Sequence, residues 1–141
     1  MEEQIKQARL EAQQRIASEA HRMIWISFNR EGVHCYPAAG TEPDLEDVKF
    51  LAHPHRHIFH FKIYIEIEHN DREIEFIQFK RFCEGLFNEG ILQLDHKSCE
   101  MISDDLYHKI AEKYPHREIW INVSEDNENG SEIRYHWYQN S

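Results

Sequence analysis

His55 and His57, one residue apart in HPHRHIFHF, are the pair in this sequence best spaced for metal chemistry. In an extended strand residues i and i+2 project to the same side, so both imidazoles can reach one ion. A catalytic zinc typically takes three protein ligands and keeps one position for water or substrate, so a third must come from elsewhere. His34 is the choice: it ends a first strand, and an antiparallel partner beginning at His55 would bring the two ends together. His53 and His60 lie in the same stretch as further ligands or bystanders, and histidines in strands are commonly just hydrogen-bonding groups. The chain holds 11 histidines, and His53, His55, His57, His60 and His69 all fall in this one segment.

The elements that must position these groups follow from periodicity. Residues 1–22 are rich in Glu, Gln, Ala, Arg and Lys, strong helix formers, with a thin apolar stripe of Ile5, Ala12, Ile16 and Ala20. Such a helix packs outside the domain, meets a partner chain, or stays solvated. Met23–Cys35 reads as a first strand, and the stretch from Pro37 to Asp47 as an acidic loop. Across His57–Glu68, alternation places His57, Phe59, Phe61, Ile63, Ile65 and Ile67 on one face. From about Ile74 the period becomes helical, with Phe76, Phe79, Cys83, Leu86 and Phe87 on the apolar side and Gly90 in the following turn. Ser98 is placed to cap a second helix, whose Ile102, Leu106 and Ile110 face inward and which Pro115 stops. REIWINVSE and SEIRYHWYQ then form a hairpin across DNENG, with Asn129-Gly130 favouring a tight turn. The order ββααββ predicts an α+β domain over residues 23–141: an antiparallel four-stranded sheet, two helices on one face, and an added N-terminal helix.

Charge narrows the function classes. Sixteen basic and 26 acidic residues leave a formal net charge of −10, a field that repels nucleic acids and anionic membranes. Three cysteines, Cys35, Cys83 and Cys99, with no CxxC spacing, point to a reducing compartment, and no apolar stretch is long enough to span a bilayer. A cytoplasmic protein without nucleic-acid or membrane partners is expected.

With the ββααββ order in hand, the motifs resemble those of the 6-pyruvoyl-tetrahydropterin and 6-carboxy-tetrahydropterin synthase family, which has the tunnelling fold. HRHIF resembles the family's HGHNY metal motif, and REIEFIQFK the opening of its first helix. LDH at Leu94–His96 matches the family's own LDH, SCEMISDDL resembles its PTAEN stretch, and INVSED its V-x-V-x-E-T. The resemblance runs from about Met23 to Tyr135 and rests on the order of short motifs. It implies zinc on His34, His55 and His57, proton relay by Asp95 and His96, and a pterin anchored by Glu125, with Ser98 and Glu100 beside it. It also implies a homo-oligomer with pockets at subunit interfaces. Read without the family, Glu125 is a hairpin carboxylate and Asp95-His96 a turn.

The pattern departs from the family where it matters for turnover. The proton-abstracting cysteine expected shortly before the HxH is missing from VKFLAHPHRH, and Leu51 occupies one equivalent place. Cys35, beside His34, is the replacement thiol, and His53 another candidate base. Arg56 stands where the family has glycine, placed to meet an anion or to pair with the acidic loop. Two readings follow. One is a zinc-dependent carbon–oxygen lyase acting on a dihydroneopterin triphosphate-type substrate. The other is a non-catalytic module that binds a pterin, purine or modified nucleotide.

Overall fold

The computed structural model describes residues 1–137. The elements are α1 (Glu2–Glu19), β1 (Met23–His34), β2 (His55–Glu66), α2 (Phe76–Glu84), β3 (Leu92–Gln93), α3 (Cys99–Lys113), β4 (Ile119–Glu125) and β5 (Asn129–Tyr135). Of the expected last strand, Tyr138 and Gln139 lie outside the described residues. The architecture is α+β as anticipated, but the sheet is five-stranded and mixed, in the order β3-β1-β2-β4-β5. The expected four-stranded antiparallel array is its β1-β2-β4-β5 part. The unforeseen strand β3 runs parallel to β1, with Leu92 opposite Gly32 and Gln93 opposite Val33. Its period-two signal covers only Ile91 to Leu94, too short to stand out beside the helices around it.

Alternation drives the core. Along β2, Phe59, Phe61, Ile63 and Ile65 are buried, and Ile119, Ile121 and Val123 of β4 are buried beside them. Phe79 and Cys83 of α2 and Ile102, Leu106 and Ile110 of α3 join the same cluster, so both helices cover one face of the sheet. Each large side chain removed from water there stabilises the fold by roughly 1.5–3 kcal/mol. Burial also pushes the Cys83 thiol up to about 12, so it behaves as a small hydrophobe. Phe76 departs from the expected apolar face and stays exposed, because α2 begins only there, capped by the Glu75 side chain on Gln78 N–H at 2.7 Å. Ser98 caps α3 as expected, accepting from Met101 N–H at 3.2 Å. Tyr135 ties β5 to α3 by stacking on Tyr107, with ring centroids 4.0 Å apart, and by hydrogen bonds to Ser103 and Asp104.

Three local expectations change. The acidic stretch after β1 is not an open loop but two 3-10 segments, Pro37–Gly40 and Pro43–Ala52, each opened by a proline that presets φ. The hairpin turns on Asp126 and Asn127, both with positive φ, not on Asn129-Gly130. Gly130 is instead required inside β5, where a Cβ would lie 2.1 Å from the Val123 carbonyl oxygen. Helix α1 buries no residue, so the described residues give it no packed seat on the domain.

At the end of the sheet opposite the histidines, Arg117 donates to Glu73 at 2.8 and 2.6 Å, a two-pronged pair joining β4 to the segment before α2. The Arg117 guanidinium holds the Glu73 carboxyl below its ordinary value of 4.5. The ionised pair therefore stabilises the fold above that value, and its contribution is lost as pH falls through the depressed folded-state value. Glu73→Gln is expected to cost about 1 kcal/mol at pH 7, after allowance for solvent screening. Urea unfolding followed by tryptophan fluorescence should show this gap at pH 7 and its closure in strong acid; an equal gap at both pH values would exclude the pair as its source.

Candidate metal centre

The β1–β2 register places His34 directly opposite His55, and Gly32 opposite His57. A Cβ at Gly32 would lie 2.9 Å from both Leu94 and Phe59, so only glycine lets the strands, the metal face and β3 close up here. The three imidazoles meet edge to face, with ring centroids 4.7, 5.2 and 4.9 Å apart, and their ligand atoms all lie within 4.8 Å of one another. The three ligands expected from sequence thus converge. His60 is on the opposite face of β2 and takes no part, and the His53 ring is exposed.

Each ring is held by its Nδ1. His34 Nδ1 meets the Lys97 carbonyl at 2.9 Å, His55 Nδ1 the His53 carbonyl at 2.8 Å, and His57 Nδ1 the Asp126 carboxylate at 2.7 Å. All three partners are acceptors, so the tautomer that satisfies them has each Nδ1 donating and each Nε2 turned to the shared space with its lone pair. Glu125 faces the same space, its Oε1 3.2 Å from His34 Nε2 and its Oε2 3.4 Å from His57 Nε2. His57 Nε2 is buried and has no aligned hydrogen bond. Lone pairs facing a carboxylate need a cation between them, and a divalent ion satisfies the whole set where a single proton satisfies one contact. The residues therefore fit a metal with three histidine ligands, and the outer acceptors fix ring orientation as such sites require.

Asp126 escaped the sequence reading. Its positive φ turns the side chain back toward β2, where it accepts from the Ile58 backbone N–H at 2.8 Å as well as from His57. Those two bonds, the backbone one first, hold its carboxyl below the usual aspartate range. The turn residues of the hairpin were its only trace in the sequence.

A cleft of about 570 Å³ opens beside the metal face. It brings together Cys35, His96, Ser98, Glu100 and Glu125, which the sequence reading drew from four separate segments. Leu51, standing where the family cysteine was sought, lines the cleft too, as does Cys99. Burial, then the negative charge of Glu125, pushes the Cys99 thiol up to about 12, and its Sγ lies 3.9 Å from Glu125 Oε1. Asp95 is placed differently from expectation. It adopts φ 53°, its backbone carbonyl accepts from Cys35 N–H at 2.8 Å, and among the described residues no hydrogen bond joins its carboxylate to His96. The Leu94–Lys97 turn also positions two groups through its backbone: one carbonyl anchors Cys35, another His34. Ser98 spends its hydroxyl on the helix cap, and Arg56 pairs with Glu31 at 3.1 Å rather than with the acidic segment.

Purified without added metal, the chain is expected to carry close to one transition-metal ion by elemental mass spectrometry, and a His55→Ala/His57→Ala variant none. Asp126→Asn, which leaves all three ligands in place, should weaken that metal about 10–100-fold in a chelator competition. Unchanged affinity would show that the Asp126 contact does not tune the site.

No helix among the described residues is long and apolar enough to cross a membrane. Compared with known proteins, the chain matches no family model and no curated protein sequence.

Proposed function

We propose that the chain is a zinc-dependent carbon–oxygen lyase of the pterin-synthase type, acting on a dihydroneopterin triphosphate-like substrate. The observation that carries this reading is the meeting of a three-histidine centre with a cleft that also holds a carboxylate, a thiol and a free imidazole. His34, His55 and His57 would hold the ion, which when bound acts as a Lewis acid on substrate hydroxyls. Cys35 and His96, both on the cleft wall, are the groups free to take and return a proton at the substrate carbon. Glu125, which lines the same cleft, would accept N–H or O–H groups of the bound molecule. Tyr36, Leu51 and Met101 supply the apolar wall against which a flat ring can lie. The resemblance of the motifs to the family supplies the substrate class, and the pocket at a subunit interface of a cytoplasmic homo-oligomer belongs to the same proposal.

One feature favours a second reading, a module that binds a pterin, purine or modified nucleotide without converting it. Leu51 puts an apolar side chain in the cleft where the family has its cysteine.

Turnover of dihydroneopterin triphosphate by the zinc-loaded chain, followed by product fluorescence and mass, separates the two. The lyase reading expects conversion, and Cys35→Ser should lower kcat by about 10²–10⁴-fold with zinc content intact. Conversion unaffected by that change would remove Cys35 from the chemistry. Tight binding of the substrate without conversion would establish the binding module instead.

A further inference from the structure

A second cleft, of about 500 Å³, is lined by outward-facing residues of β1, β2 and β4 together with Phe28 and Phe61. Its floor is a two-by-three array set by strand register. Ser27, Lys62 and Asn122 stand opposite one another across β1, β2 and β4, and Asn29, His60 and Ser124 form the next row. Lys80 and Glu84 of α2 also line this cleft. The next row along the strands, Trp25, Tyr64 and Trp120, lies beyond the cleft lining, with Lys62 Nζ 4.2 Å from the Trp25 ring centroid and Arg134 4.1 Å from that of Trp120.

Among the described residues Ser27, Asn29, Asn122 and Ser124 make no side-chain hydrogen bond to any protein group. Neighbouring strands lie about 4.8 Å apart and same-face residues along a strand about 6.7 Å apart, so the array spans roughly 10 by 7 Å. That is the size of one sugar ring. Hydroxyls and amides offering both donors and acceptors match a polyol, as does the Glu84 carboxylate, which accepts from hydroxyls. Lys62 and Lys80 place two positive charges here, beside the single carboxylate of Glu84, on a chain whose formal net charge is −10. A concave basic spot on an acidic surface concentrates anions.

We infer that this outer cleft is a binding site for a small phosphorylated polyol, its phosphate held by Lys62, Lys80 and His60 and its hydroxyls by the Ser and Asn side chains. The site shares no residue with the metal cleft and does not depend on the lyase reading.

The test is a titration of the zinc-loaded full chain with ribose 5-phosphate, followed by backbone amide NMR, with ribose and inorganic phosphate titrated separately. Shifts should concentrate at Ser27, Asn29, His60, Lys62, Asn122 and Ser124, and ribose 5-phosphate should bind at least about tenfold more tightly than either half alone. Lys62→Gln/Lys80→Gln should weaken it by about tenfold or more while zinc content and the remaining amide spectrum stay unchanged. Shifts confined to residues around Glu125 and His57 would assign the phosphate to the metal and overturn the proposal. So would the absence of shifts, or equal binding of ribose and its phosphate.

Discussion

The antiparallel register between β1 and β2 is the constraint on which the rest depends. Because side chains alternate with period two, the register that sets Phe28 opposite Phe61 in the core also sets His34 opposite His55 at the strand ends. A slip of one residue would turn the whole apolar face of β2 to solvent and part the histidines in the same movement. The packing of Phe59, Phe61, Ile63 and Ile65, all essentially without exposure, thereby supplies the energy that fixes ligand geometry. The centre is anchored by the core beneath it, not by its own hydrogen bonds alone.

Those hydrogen bonds decide something different, namely which nitrogen faces inward. The acceptors come from three places: a carbonyl before β2, a carbonyl of the turn after β3, and a carboxylate in the β4–β5 hairpin. Strand β3 matters here beyond its two residues. Leu94 N–H bonds to the Val33 carbonyl and Cys35 N–H to the Asp95 carbonyl, which docks the turn against the end of β1 and delivers the Lys97 carbonyl to His34. Loss of β3 would free that turn and with it one ring.

Much of this was legible in the sequence, and what was not has physical reasons. The strands and α3 declared themselves through long periodic runs and the Ser98 cap, and His34, His55 and His57 through strand ends and i, i+2 spacing. Strand β3 was hidden because two residues carry too little periodicity, and its parallel pairing depends on Gly32 being bare, which is a tertiary fact. Asp126 was hidden because its role depends on a left-handed backbone conformation that the Asn-Gly signal pulled toward the wrong residues. The Asp95-His96 pair was read from a resemblance as side-chain chemistry. What residue type did not announce is the backbone carbonyl of Asp95, which holds Cys35 N–H at 2.8 Å, because carbonyls leave no mark on residue type.

The distribution of thiols bears on what chemistry the cleft can sustain. Cys99 is inside it, but burial and the adjacent Glu125 push its thiol up to about 12, so near neutral pH it stays protonated and serves as a weak donor to that carboxylate. A group that must abstract a proton from carbon needs the opposite character: exposure to the bound molecule and a conjugate acid formed near working pH. Cys83 is buried in the core, far from this role. Cys35 is half-buried, sits one residue from a metal ligand, and has its backbone clamped by Asp95, so its position on the cleft wall is fixed before anything binds. His96, exposed on the same wall, is a further titratable group there not already engaged as a ligand or a cap, alongside Tyr36 and Glu100. Within the lyase proposal this is why Cys35, with His96 as its exchange partner, takes the place of the family thiol: Leu51 can carry no proton, and the Cys99 thiol does not release one near neutral pH.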